Sequence, residues 1–152
     1  MDIGSGLGGP SRYLAQKFGC NVYGVDLSQS FVDAATLLAE KVGLKDRLDY
    51  FRGDALSLPF NASAFDIAWT QHVAMNIRDR KKLYSEAFRV LRKGGRFAIF
   101  DVVATTGEPL YYPVPWAPDE SSSFLMTSWT ATIMLAGVAA KVLAGGEESE
   151  AA

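Results

Sequence analysis

The chain has little cysteine, little histidine and no strong excess of charge of either sign. Among its 152 residues Cys20 is the single cysteine, which excludes an internal disulfide and predicts a reducing compartment such as the cytoplasm. A net charge of −2 gives no electrostatic basis for binding nucleic acid or an anionic membrane. The N-terminus lacks a basic segment followed by an apolar one, so no signal peptide is predicted. The length predicts one globular domain.

The stretch DIGSGLGGP near the start of the chain predicts a sharp turn beneath a ligand. Glycine suits such a turn because it tolerates positive φ and has no Cβ to hold a ligand away from the backbone. Residues 1–3 would end a first strand, and Pro10 would open a helix that reaches about Phe18. A strand before such a loop normally has about five residues, so the sequence is expected to begin inside that element.

Strands and helices then alternate along the chain. Further strands are predicted over residues 21–25, 48–51, 65–69 and 96–103. One helix is predicted from the cap Ser28 to about Val42, and another over residues 78–92, where Lys93-Gly94-Gly95 would end it. This alternation indicates right-handed βαβ units and a mostly parallel sheet that is covered on both faces.

The pattern changes after Val103. Residues 107–118 hold four prolines and three aromatic residues, which is too proline-rich for a helix or an inner strand. Residues 124–144 are mostly apolar and are predicted to form one helix. Its predicted buried positions are Trp129, Ile133, Leu135 and Val138. A membrane span is the less favoured alternative, because serines, threonines and a lysine interrupt the segment.

Polar residues follow three of the predicted strands at distances typical of a nucleotide-like site. Asp26 lies 22 residues beyond Gly4, where an acid can accept hydrogen bonds from both hydroxyls of a ribose. Asp54 follows the third strand and could accept from an adenine amino group. His72 follows the fourth strand, at the edge where ligands bind in open α/β sheets. Taken singly, each aspartate could equally be an ordinary turn residue.

These features together resemble the class I S-adenosylmethionine-dependent methyltransferases. The resemblance rests on the motifs DIGSGLGG, VDLS, GDALSLPF, FDIAWTQHVAMNI, AFRVLRKGG and RFAIFDVV. It is closest to the small-molecule branch that contains sarcosine/dimethylglycine and ubiquinone or tocopherol methyltransferase-like proteins. The aspartate-alanine pair, the LPF loop and the Lys-Gly-Gly sequence separate it from the main alternative, a nicotinamide-dependent dehydrogenase.

The resemblance implies a site for S-adenosyl-L-methionine and no metal ion. Its implied cofactor contacts are Asp2, Gly4, Gly6, Gly8, Asp26, Leu27, Asp54, Ala55 and Gln71. The first aspartate and the glycine turn would hold the methionine part of the cofactor. Asp26 would bind the ribose and Leu27 would pack on the adenine. Asp54 and Ala55 would contact the adenine edge, and Gln71 would lie beside the sulfonium.

Methyl transfer from a sulfonium is an in-line displacement, so alignment and exclusion of water are the main tasks of the protein. The candidate catalytic residues are His72, Asn76 and Asp101. Related O-methyltransferases often have a histidine pair where this chain has Met75-Asn76, which argues against a histidine base at position 76. His72 is either a pocket residue that takes a proton or a structural histidine.

Trp69, Tyr112 and Trp116 are the predicted substrate contacts. The segment that carries the last two would form an aromatic wall over an amine or a flat ring, or alternatively a proline-stiffened lid without specific contacts. The predicted partner is a small-molecule substrate, with no nucleic acid and no membrane; a homodimer stays open.

The resemblance covers about residues 1–116. It implies a cofactor-binding core over residues 1–106, a substrate-side loop over 107–123, and a helix with an acidic tail over 124–152 that diverges from the family. The N-terminal helices and the last antiparallel strand pair of the family have no counterpart. We therefore expect a Rossmann-like three-layer α/β sandwich that is incomplete at both ends. The alternative function is a non-catalytic cofactor-binding fragment or subunit.

Overall fold

A computed structural model describes residues 1–105 and 109–149, and its side chains are described as far as residue 140. Five strands form one sheet: β1 Asp2–Ile3, β2 Val22–Asp26, β3 Leu48–Arg52, β4 Phe65–Gln71 and β5 Leu91–Phe100. All are parallel, in the order β3-β2-β1-β4-β5. The predicted parallel α/β architecture is confirmed. The predicted boundary between residues 106 and 107 and the end of the acidic tail lie outside the described residues.

Four α-helices connect or follow these strands: α1 Gly9–Phe18, α2 Gln29–Lys41, α3 Arg80–Val90 and α4 Ser128–Ser149. Local chemistry sets their ends. Ser28 caps α2 as predicted, because its hydroxyl accepts from the Phe31 N–H at 3.4 Å. The Asp79 carboxylate caps α3 by accepting from the Lys82 N–H at 3.0 Å.

The two faces of the sheet carry different apolar clusters. Ala15 of α1 and Ala39 of α2 pack with Val22 and Leu48 in the smaller cluster. The larger cluster joins β1, β2 and β4 to α3 and α4; its fully buried members include Ile3, Val25, Ala68, Leu83, Tyr84 and Val90. Alternate strand residues point to opposite faces, so β2 contributes to both clusters. The result is the predicted three-layer sandwich.

The junction between α3 and β5 differs from the prediction. The helix ends at Val90, and Leu91 is already extended and pairs with Phe65 of β4. The register then shifts, since Ile67 pairs with Arg96, so the intervening glycine-containing segment bulges out of the sheet. The predicted helix end at residue 92 and its stop at residues 93–95 are therefore wrong. Pairing with β4 draws the last residues of the helical pattern into a strand.

The C-terminal helix forms as predicted, but its buried face differs. Val138 is buried and Leu135 is half-buried. Trp129 and Ile133 are 72% and 53% exposed, so the prediction that they are buried is wrong. Both were assigned from apolar character alone, whereas only one stripe of α4 contacts α3. None of the helices in the described part of the chain combines the length and hydrophobicity that a membrane span requires.

Candidate active site

A cavity of about 800 Å³ opens at the carboxyl ends of the strands, where the chain crosses from β3 past β1 to β4. Ligands in open α/β sheets bind at such a crossing, because the loops on its two sides diverge and leave a crevice. Many of the predicted site residues line this cavity: Gly4, Gly6, Asp26, Leu27, Asp54, Ala55, Gln71, His72 and Asn76. Loops after four different strands thus meet around one space.

The glycine turn after β1 forms the floor of this cavity. Gly4 has φ of +75°, and a Cβ there would lie 2.3 Å from Cγ2 of Val73. Gly6 has φ of +51°, yet a Cβ there would meet no atom within 4 Å, since it faces open space. A ligand can therefore approach the backbone at Gly6. Gly8 does not line the cavity: a Cβ there would lie 2.3 Å from Oη of Tyr50.

Asp26 is held rigidly at the edge of the cavity. One carboxylate oxygen accepts from the Gly6 N–H at 2.8 Å and the other from the Ser28 N–H at 2.9 Å. These bonds join the glycine turn to the start of α2. Each carboxylate oxygen can accept more than one hydrogen bond, so acceptor capacity remains for a ligand. Leu27 beside it is 69% exposed and offers an apolar surface.

The Asp54–Ala55 turn forms a neighbouring wall. The Asp54 carboxylate accepts from the Leu56 N–H at 2.8 Å and so rigidifies its own turn. The loop that follows is held from α3, where buried Glu86 accepts from the Leu58 N–H at 2.9 Å. Arg89 pairs with Glu86 at 2.8 Å and also donates to the Phe60 carbonyl at 2.7 Å. Side chains of α3 therefore fix this wall from behind.

Asp2 and Trp69 do not line the cavity, and their predicted ligand contacts stay predictions. Asp2 is buried, and its carboxylate accepts from the Ser11 hydroxyl at 2.5 Å and from Nε1 of Trp69 at 2.9 Å. Burial raises the pKa of Asp2, and these two hydrogen bonds oppose that rise. Trp69 instead lines an apolar cleft near the opposite ends of the strands. Both side chains lock β1 to α1 and β4 beneath the turn.

A second cavity, of about 600 Å³, adjoins the first. Its lining residues are His72, Met75, Asn76, Val102, Pro115 and Trp116. His72 and Asn76 line both cavities, so a molecule in one would lie beside a molecule in the other. The His72 backbone is left-handed, with φ of +57°, and its N–H donates to the Phe100 carbonyl at 2.8 Å. That bond holds the imidazole at the junction of the two cavities.

Asn76 is committed to holding the proline-rich loop. Its amide nitrogen donates to the carbonyls of Trp116 at 2.9 Å and Ser122 at 2.7 Å. Both of its donor hydrogens are thereby used, so Asn76 positions the loop, and a catalytic role stays a prediction. Trp116 lines the second cavity, whereas Tyr112 lines neither cavity. The position of each aromatic residue in the proline-rich loop therefore determines whether it lines the second cavity.

Asp101 follows β5 directly, and it lines neither of these two cavities. Its carboxylate accepts from the Val73 N–H at 2.9 Å and so supports the turn that carries His72. Burial raises its pKa, and the nearby Arg80 guanidinium and that N–H oppose the rise. A catalytic role for Asp101 stays a prediction.

Several residues that line the first cavity were not predicted from the sequence. They include Phe31, Gly53, Val73, Ile77, Arg78 and Phe124. Phe31 of α2 is 47% exposed and lines the cavity. Arg78 lies 4.8 Å from the Phe124 ring centroid, a cation–π contact between segments far apart in sequence. No local pattern could have revealed that pair.

Sequence comparison places the chain among known proteins. The family described as methyltransferase domain matches residues 1–99. A probable chloroplastic tocopherol O-methyltransferase from Oryza sativa subsp. japonica is 38% identical over 99 residues, covering 65% of this chain and 27% of the relative. The sterol 24-C-methyltransferase ERG6 from Saccharomyces cerevisiae is 33% identical over 105 residues, covering 69% and 27%. The chain spans about a quarter of the length of these relatives.

Solved structures agree with this assignment. The cyclase SpnF superimposes with a TM-score of 0.79 at 26% identity, over 90% of this chain and 48% of that one. The geranyl diphosphate C-methyltransferase from Streptomyces coelicolor A3(2), solved with Mg²⁺, geranyl diphosphate and S-adenosyl-L-homocysteine, superimposes with a TM-score of 0.60 at 31% identity, over 63% and 36%. By family match, fold and position of the cavity, the chain belongs to the methyltransferase domain family, among the class I S-adenosylmethionine-dependent methyltransferases.

Proposed function

We propose that this chain forms the cofactor-binding core of an enzyme that transfers a methyl group from S-adenosylmethionine to a small molecule. The observation that carries the proposal is the 800 Å³ cavity at the strand crossing, which gathers the glycine turn, Asp26 and the Asp54–Ala55 turn. These groups come from three separate loops and match the shapes and polarities of methionine, ribose and adenine. The volume also falls within the range of ordinary small-molecule sites.

The residues present fit that cofactor. The open space before Gly6 admits a ligand against the backbone, and the remaining acceptor capacity of Asp26 suits two ribose hydroxyls. Exposed Leu27 and Phe31 offer apolar surface to a flat ring. When bound, S-adenosylmethionine supplies an electrophilic methyl group on a positively charged sulfur. The walls of the cavity align that group and keep water from it.

The second cavity is the proposed acceptor site. Its walls are mainly apolar, and Trp116 and Met75 provide contact area for a ring or an alkyl chain. His72 lies where the two cavities meet, and it is the proposed group that takes a proton from an acceptor hydroxyl. The relatives named for tocopherol and for sterol support an apolar small-molecule acceptor.

The exposed, unbridged Cys20 supports a reducing compartment such as the cytoplasm.

Calorimetric titration of the chain with S-adenosylhomocysteine tests the cofactor assignment. We expect Asp26→Ala to weaken binding at least about tenfold, because the ribose hydroxyls lose a charged acceptor. Asp33→Ala is the matched control, since it removes an exposed carboxylate from α2 outside the cavity. No binding by folded wild-type protein would refute the assignment.

Asp26 also accepts from two backbone N–H groups, so its loss could loosen the turn as well. Leu27→Ala separates the two effects, since that exposed apolar side chain lines the cavity and forms no hydrogen bond. We expect about threefold to tenfold weaker binding with an unchanged thermal midpoint, from lost apolar contact with the adenine. Affinity equal to wild type would contradict the adenine contact.

A non-catalytic cofactor-binding fragment or subunit is the second candidate. Within the described residues β5 pairs only with β4, so its other edge is open to a partner or to a second copy. The likeness to SpnF, which is named a cyclase, shows that this fold also carries other activities. Transfer of labelled methyl groups to a panel of phenols and amines decides between the candidates. Cofactor binding without transfer favours the second.

A further inference from the structure

One segment of the chain, residues 116–124, contributes a wall to each of the two cavities described above. Trp116 at its start lines the second cavity. Phe124 at its end lines the first, the proposed cofactor site. The family match ends at residue 99, so both aromatic side chains belong to the part of the chain that follows it. The segment is therefore in a position to connect the two sites.

The backbone of Phe124 is fixed by the region that runs from the end of β4 to the start of α3. Its N–H donates to the Met75 carbonyl at 2.8 Å, and its carbonyl accepts from Nη2 of Arg80 at 3.0 Å. Arg80 is only 4% exposed, so this donor is itself held in the interior. The cation–π contact with Arg78 then fixes the ring. These contacts place the Phe124 ring in the wall of the cofactor cavity.

A hydrogen bond joins the two ends of the segment. Nε1–H of Trp116 donates to the Ser123 hydroxyl at 3.1 Å. Ser123 directly precedes Phe124 in the chain, and its own side chain lines neither of the two cavities. A displacement of Phe124 therefore displaces the hydroxyl to which the indole of Trp116 donates. One wall of the cofactor cavity is thus connected to one wall of the second cavity.

The segment is expected to open more readily than the sheet. Its middle, residues 118–121, is exposed, and a few hydrogen bonds hold its two ends. Segments of this kind open at a lower free energy than core strands do. A ligand that contacts Phe124 binds the closed form of the segment more tightly than the open form, so it raises the closed fraction. The closed form is the one in which Trp116 completes the second cavity.

We propose that Phe124 contacts the bound cofactor, and that Ser123 is a positioning residue that couples this contact to Trp116. Occupation of the cofactor cavity then holds a wall of the second cavity in place, and the two sites bind their ligands with positive cooperativity. The coupling is reciprocal, because both ligands favour the same closed form. This inference rests on the proposed cofactor site and adds that a methyl acceptor binds more tightly once the cofactor is bound.

The indole N–H of Trp116 tests the coupling, because Trp116 lines the second cavity and not the first. Its exchange with solvent is followed by NMR of the full ¹⁵N-labelled chain, without and with saturating S-adenosylhomocysteine. We expect the ligand to slow this exchange at least about fivefold, since exchange reports the opening of the segment. The exposed indole of Trp129 is the internal control, and its exchange should not change.

The outcomes separate this inference from the proposed function. Calorimetry on the same samples shows whether S-adenosylhomocysteine binds. Binding with an unchanged exchange rate at Trp116 would overturn the coupling and leave the cofactor site intact. Absence of binding to folded protein would refute the proposed cofactor site and the coupling with it.

Ser123→Ala removes the hydroxyl to which the indole donates and leaves both aromatic walls in place. We expect the slowing by S-adenosylhomocysteine to fall at least about threefold, while the affinity for this ligand changes less than about twofold. Ser121→Ala is the matched control, because it removes a hydroxyl of the same segment that bonds to Asp119 instead. Equal slowing in Ser123→Ala and wild type would contradict the role of Ser123.

Phe124→Ala tests the contact at the cofactor cavity. It removes the ring and retains the backbone groups that bond to Met75 and Arg80. We expect S-adenosylhomocysteine to bind about threefold to tenfold more weakly and, at saturation, to leave the exchange at Trp116 unchanged. Phe124→Tyr keeps an aromatic ring and should retain both effects. Slowing in Phe124→Ala as large as in wild type would show that the coupling takes another route and would refute the proposal.

Discussion

The buried polar groups beneath the glycine turn and those behind β5 are satisfied in different ways. Asp2 under the turn accepts from two side chains, and Asp26 beside it accepts from two backbone N–H groups. Behind β5, Asp101 accepts a hydrogen bond from the described part of the chain through only one of its carboxylate oxygens. The Nε–H of Arg80 has no acceptor within the described residues. Each carboxylate of the first region therefore has two donors, although the buried Ser5 hydroxyl in the turn has no partner over the described ranges. Within those same ranges, the second region leaves one donor and one acceptor of charged side chains unused.

This contrast predicts its largest effect on stability at Asp2. Asp2→Ala should lower the free energy of unfolding by about 3 kcal/mol, since the buried Ser11 hydroxyl and the half-buried Trp69 indole N–H each lose their acceptor. Asp101→Ala should lower it by no more than about 1 kcal/mol, because the Val73 N–H loses its partner while a half-buried carboxylate is removed. Urea unfolding of both variants measures the difference.

Asp2→Asn is the matched control for the first region. Its amide oxygen can accept from Trp69, and the Ser11 hydroxyl can turn to accept from the new amide nitrogen. We expect most of the stability to return. Equal losses for Asp2→Ala and Asp101→Ala would break the contrast between the two regions.

A smaller effect is expected at Glu86, which ties α3 to the loop beside the cofactor cavity. Hydrogen bonds from Arg89 hold the pKa of Glu86 below its ordinary value. The folded state thus binds that proton less tightly than the unfolded chain. The ionised carboxylate stabilises the fold above the ordinary pKa, and this stability is lost as pH falls through the lowered pKa.

Glu86→Gln should therefore lower the free energy of unfolding by about 1 kcal/mol at neutral pH and flatten its decline in acid. Glu40→Gln breaks an exposed pair with Lys45 and serves as the control, with an expected change of about 0.5 kcal/mol or less. Unfolding curves over a series of acidic buffers test both. If the free energy of unfolding of Glu86→Gln falls with pH as steeply as that of the wild type, Glu86 is not the source of the decline.

The smallest effect concerns the surface of α4. Trp129→Ala should change the free energy of unfolding by about 0.5 kcal/mol or less, because the indole is largely exposed. Val138→Ala on the buried stripe should lower it by about 1 kcal/mol or more. Thermal unfolding measures both changes. A larger loss of stability for Trp129→Ala than for Val138→Ala would show that a different face of α4 is packed.

The sequence predicted features whose causes lie within a few residues. The Ser28 cap, the positive φ of the glycine turn and the alternation of strands and helices are all local, so motif and spacing suffice. Asp26 and Asp54 reach the cavity for the same reason, since parallel strands deliver their carboxyl ends to one edge.

Contacts between residues distant in sequence were not predicted. The Asp2–Trp69 hydrogen bond joins residues 67 apart, and the bond from Asn76 to Trp116 joins residues 40 apart. No spacing rule encodes either contact. The end of α3 was misplaced for a related reason, because pairing with β4 draws Leu91 into the sheet.

The two hydrogen bonds of Asn76 have a consequence for the timing of access to the second cavity, the proposed acceptor site. Both bonds come from one amide, so a single rotation of that side chain releases the carbonyls of Trp116 and Ser122 together. The segment between them should then detach as one cooperative unit, with its amide hydrogens exchanging at a shared rate. Entry of a molecule into that cavity would then depend on a single opening event and not on a gradual loosening of the loop.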